Sequence, residues 1–138
     1  MANRSLTTRF AHLLERVGLA MAGASCGLFV AAHLARTGIE LVASIAAIFI
    51  MTTLGAVGFY LGIDIPPHTA LAGKVDTAEL LSAIGTFIAA ISGFASVYII
   101  VTDASPQIFS TQFVGFLWLL GVGMQIIAGA IARIRALG

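Results

Sequence analysis

The sequence predicts an all-α integral membrane protein, a four-transmembrane-helix bundle made of two helical hairpins. Three observations carry this. Of 138 residues, 59% are hydrophobic and only 9% charged, against roughly 25% charged in an ordinary soluble domain. The mean hydropathy is +1.06. The apolar residues are gathered into four long runs, each near the roughly 20 residues needed to cross a bilayer core. A single domain, residues 1–138, is expected from the length.

The first span, 17–35, lies between Arg16 and Arg36. It is too long for the apolar stretch of a signal peptide, and no small-x-small site follows it, so it is expected to stay in the chain. The second span, 41–63, is opened by Glu40 and closed by Asp64, and Pro66-Pro67 prevents its continuation. The third, 80–101, follows an Asp76/Glu79 pair that resembles a capping box. The fourth, 108–132, reaches its fully apolar stretch at Phe113, with Ser105-Pro106 as an expected cap and first helical position. Continuous runs without alternation exclude barrel strands, because a span in lipid must satisfy its backbone internally.

Charge placement predicts the orientation. Arg4, Arg9, Arg16, Lys74, Arg133 and Arg135 fall on the side of the termini and the 64–77 loop, while Arg36 stands alone on the other. The excess of Lys and Arg marks the cytoplasmic side. Both termini and the 64–77 loop are therefore expected to be cytoplasmic, in a cytoplasmic or inner membrane. Two tight turns, 36–39 and 103–109, are expected on the opposite side. The near-zero net charge gives no field to attract nucleic acid.

Laying Leu13–Val30 over Leu80–Val97 matches six of eighteen positions, including Gly18/Gly85, Ala22/Ala89 and Ser25/Ser92. This outlines a weak parallel internal repeat, though shared composition accounts for it equally well. Small residues crowd all four spans. Gly23 and Gly27, Gly55, Gly85 and Gly129 are the expected helix-packing positions, because lipid supplies no hydrophobic drive and helices associate through close backbone approach.

The residues that could carry chemistry are few. His33 lies about one turn inside the first span, and a histidine at that depth is a functional hypothesis. It could ligate a haem or a chlorophyll-type pigment, relay a proton, or bond a neighbouring helix. His12 and His68 belong to the opposite side, so bis-histidine ligation would need another chain. An interfacial hydrogen-bonding role is the competing reading. Gln125 is the one amide of the apolar run that starts at Phe113, and with Thr52, Thr53 and Ser92 it would form a polar intramembrane set. Glu40 and Asp103 would share one surface, where solvated charges are expected rather than a cation site. Trp118 would anchor an interface or pack in the core.

No span contains Asp, Glu, Lys or Arg. A coupled transporter normally keeps such a residue at the midplane. No phosphate loop, nucleophile elbow or metal-ligand spacing occurs, and Cys26 is the single cysteine. No catalytic or metal residue is assigned, no cofactor is expected apart from the haem or pigment option at His33, and an enzyme is not expected. The leading expectation is a non-catalytic small membrane subunit that packs with or stabilises a larger complex. A homo-oligomeric channel or carrier and a cofactor-binding subunit are the alternatives. The expected partners are the lipid bilayer and other membrane subunits or copies of the chain itself.

Overall fold

The computed structural model describes residues 2–63, 76–105 and 107–138. The expected 64–77 loop, with Lys74, His68 and Pro66-Pro67, lies outside the described residues except for Asp76 and Thr77. The Ser105-Pro106 cap likewise involves a residue outside them. Among the described residues five helices follow one another: α1 (Ala2–Ala35), α2 (Glu40–Ala43), α3 (Ile45–Ile63), α4 (Thr77–Val101) and α5 (Ile108–Leu137). Four of these, all but α2, are long and apolar enough to cross a membrane.

Two boundaries differ most from the sequence expectation. The second span is broken at Ser44, whose extended backbone (ψ 148°) separates α2 from α3. The Ser44 hydroxyl donates to the Leu41 carbonyl at 2.8 Å and accepts from the Ala47 amide at 3.1 Å, ending one helix and capping the next. The 19 residues of α3 still reach about 28 Å, close to the thickness of the hydrocarbon core. The other difference is α1, which continues back to Ala2 and reaches 34 residues, about 51 Å.

The remaining ends have local causes. Asp76 caps α4 by accepting from the Ala78 amide at 3.1 Å. Asp103, at φ 49°, closes α4 in a left-handed turn, with Ala104 N–H bonding Ile99 O and Asp103 N–H bonding Ile100 O. That pair of bonds is the Schellman arrangement, which satisfies carbonyls the helix leaves over. Gly38, at φ 73°, serves the corresponding turn after α1. Gln107 is the N-cap residue of α5, which begins at Ile108.

The helices pack in the ring order α1–α3–α5–α4, with the strongest association inside each hairpin. Neighbours across the hairpins, α1 with α4 and α3 with α5, run parallel. Buried positions repeat at alternating spacings of four and three. They are Gly23, Gly27, Val30 and Leu34 on α1, Met51, Gly55, Gly58 and Gly62 on α3, and Ala78, Ser82, Gly85, Ala89, Ser92 and Ser96 on α4. On α5 they are Thr111, Gly115, Trp118, Val122, Gln125, Gly129 and Ala132. Such a seam is the pattern of helices packed at shallow left-handed angles.

Small seam residues let backbones touch. A Cβ on Gly23 would strike the Gly55 carbonyl, one on Gly27 the Met51 carbonyl, and one on Gly129 the Leu61 carbonyl. Gly85 and Gly121 meet in the same way between α4 and α5. The large apolar side chains point the other way: Phe49, Phe87 and Phe94 are exposed on the outer surface. This inversion suits a lipid solvent, where outer leucines and phenylalanines meet acyl chains and the interior is held by packing and polar contacts. The chain is an integral membrane protein.

Candidate functional site: the polar interior

His33 is fully buried, and three helices supply its surroundings. From α4, Ser96 Oγ stands 3.3 Å from Nδ1; from α5, Thr111 Oγ1 stands 3.2 Å from Nε2. The Ser96 hydroxyl gives its proton to the Ser92 carbonyl at 2.9 Å, which leaves a lone pair for the ring. Nδ1–H therefore donates to Ser96, and Nε2 accepts the Thr111 hydroxyl. The result is a neutral imidazole with both nitrogens engaged. An iron or pigment metal would have to take Nε2 away from Thr111, so this geometry favours the helix-bridging role of His33 over ligation.

Three residues on, just past the end of α1, Arg36 leaves the bundle toward α4. Its Nη2 donates to Asp103 Oδ1 at 3.0 Å and its Nη1 reaches the Ile99 carbonyl at 3.4 Å. Asp103 thus has a cationic partner, and Glu40 is exposed. The two carboxylates expected on one surface do not act as a pair.

Gln125 lies deeper, on the same seam of α5 as Thr111 and Trp118. It is fully buried, and its Nε2 donates to Thr86 Oγ1 at 2.9 Å. Space for it comes from α3, where a Cβ on Gly58 would stand 2.9 Å from Oε1 and one on Gly62 would press on the Gln125 Cβ. Between Gln125 and the His33 cluster sits Trp118, also fully buried, so it belongs to the core and not to an interface. Among the described residues, Trp118 Nε1 and Gln125 Oε1 are the buried side-chain atoms without a hydrogen-bond partner. Cys26 adjoins the indole nitrogen, a soft and weak acceptor, while its own thiol donates to the Ala89 carbonyl at 3.1 Å.

The other expected polar residues are placed differently. Thr52 and Ser92 turn their hydroxyls back to Ile48 and Ile88 carbonyls, each at 2.8 Å, within their own helices. Thr53 is exposed on the outer face of α3. These three line no common path with Gln125. Sequence reasoning did not single out Thr111, although its spacing of seven from Trp118 and again from Gln125 marks the same buried edge of α5.

At the end that carries the chain termini, arginines do the tying. Arg133 Nη1 donates to the Leu61 carbonyl at 2.9 Å and to the Gly129 carbonyl at 3.1 Å. Arg135 pairs with Asp76 at 2.7 Å, and the Ser82 hydroxyl donates to the Gly62 carbonyl. Outside the bundle, a largely apolar groove of about 350 Å³ opens between α1 and α4, with Ala22, Ser25, Phe29, Ala90 and Phe94 on its walls. No group of three or more His, Cys, Asp or Glu residues that could hold a metal occurs among the described residues.

The class these contacts define is a four-helix membrane bundle whose polar side chains are largely committed to one another or to backbone carbonyls. Compared with known protein families, curated proteins and solved structures, the chain matches none.

Proposed function

We propose that the chain is a non-catalytic membrane subunit that packs with, or stabilises, a larger membrane assembly. The observation that supports this best is the internal use of its polar groups. His33, Ser96 and Thr111 satisfy one another, Gln125 bonds Thr86, and Thr52 and Ser92 bond their own helices. A side chain already engaged inside the bundle is poorly placed to line a conduit or to bind substrate. The surface left for other molecules is apolar, with small residues and phenylalanines beside the α1–α4 groove. Such surfaces suit close approach by another transmembrane helix.

The orientation proposed with this role places both termini on the cytoplasmic side, as the arginine distribution favours. Purification from the native membrane in mild detergent, with native mass and absorption spectrum recorded together, tests the role. A stable complex with other chains is expected. A colourless homo-oligomer would remove this reading in favour of a channel or carrier, and a Soret or pigment band would favour a cofactor subunit.

A further inference from the structure

The start of α1 reaches past the described ends of α3 and α4. Gly23 meets Gly55 and Gly27 meets Met51. The last residue of α3, Ile63, lies eight positions past Gly55 and therefore at the level of residue 15 of α1. Contacts between α1 and α4 recur at a separation of 63 (Cys26 to Ala89, His33 to Ser96, Arg36 to Ile99). That places Thr77, the start of α4, at the level of residue 14. Residues 2–14 thus extend about 20 Å past both helices. Among the described helices, only α5 continues alongside, for part of that length.

This extension is amphipathic. Leu6, Phe10, Leu13, Leu14 and Val17 are between 47% and 64% exposed. Phe10, Leu14 and Val17 continue at spacings of four and seven into Met21 and Leu28, on the outer face of the membrane-crossing part of α1. The apolar stripe is therefore in phase with the surface that meets acyl chains. Arg9, His12 and Arg16 recur at spacings of three and four on another face, all exposed. Through residues 2–16 there are three arginines and one acid, Glu15, which stands 3.7 Å from His12.

We propose that residues 6–17 form a membrane-surface segment that binds anionic phospholipid. The apolar stripe enters the boundary between headgroups and acyl chains, and Arg9 engages lipid phosphates. Two features select this occupant: the phase continuity with the lipid-facing stripe, and the charge complementarity between an arginine-rich face and an anionic leaflet. A second copy laid along the same stripe would bring like arginines together. The proposal does not depend on the subunit role.

A single-cysteine protein tests it directly. Cys26→Ala removes the native thiol, Phe10→Cys introduces a new one, and an environment-sensitive fluorophore is attached there. The full chain is reconstituted into phosphatidylcholine vesicles with or without phosphatidylglycerol. The expected result is blue-shifted emission, shielded from the neutral aqueous quencher acrylamide, only in the anionic vesicles, and reversal of both effects by high salt. Arg9→Gln should lower the ratio of bound to free segment about five-fold. The same label at Thr53, on the outer face of α3, checks that each variant inserts, because its emission should stay unchanged. A Phe10 probe equally open to acrylamide in both vesicle types would overturn the proposal. A probe equally shielded in both, whatever the salt or the Arg9 substitution, would also overturn it, because contact would then be with protein or with acyl chains alone.

Discussion

At the turn end of the bundle, a side chain from α1 meets side chains from α4 and α5 deep inside; at the termini end, arginines on α5 reach backbone carbonyls and a carboxylate near the surface. His33 has both ring nitrogens matched by hydroxyls 63 and 78 residues away in sequence. Arg133 instead spans from α5 to the last turn of α3, where free carbonyls and the negative end of the helix dipole suit a cation. Arg36 does the same for α4 at the opposite surface. Each hairpin is therefore clamped to the other by an arginine at a helix C-terminus, and the turn end adds a buried network that joins side chains of three helices. The difference lies in tolerance. Carbonyls near a membrane surface accept water or headgroups in place of a lost arginine, whereas a buried hydroxyl or imidazole has no such replacement.

Breaking the comparison starts with the feature both ends share. Gly55→Leu should have the largest effect, because the Gly23 carbonyl occupies the space a Cβ needs. A loss of about 3 kcal/mol or more is expected from overpacking against backbone, seen as loss of the compact monomer in detergent unfolding. His33→Leu should come next, at about 1–3 kcal/mol, since Thr111 loses its acceptor and Ser96 its donor in a buried setting. Arg133→Met is expected to cost about 1 kcal/mol, measured by the same unfolding assay. If it costs as much as His33→Leu, the contrast between the two ends fails. Asp103→Asn should matter least, about 0.5 kcal/mol and declining with salt, because this carboxylate is 95% exposed.

How much of this was legible beforehand depends on the kind of interaction. The four spans were readable because lipid imposes a length and an apolar composition on each one. The break at Ser44 was not, since a serine inside an apolar run is equally compatible with a hydroxyl turned back to its own helix, as Thr52 does. The extension of α1 was hidden for a related reason. Arg9, His12 and Arg16 end the apolar run without ending the helix. His33 and Gln125 stood out as polar residues at membrane depth, yet their roles depended on partners that single-helix periodicity does not name. A signal was present in the seven-residue spacing of Thr111, Trp118 and Gln125, which share one edge of α5.

By itself the sequence determined the solvent and the element count: composition and run length require four helices in lipid, and the small residues require close packing. Only the tertiary structure decided which glycine faces which carbonyl, that Asp103 belongs to Arg36, and that His33 is held between Ser96 and Thr111. The physical reason is that burial in lipid depends on the local stretch of chain. A hydrogen bond between helices depends on the relative rotation and height of both, which is set when all four seams close together.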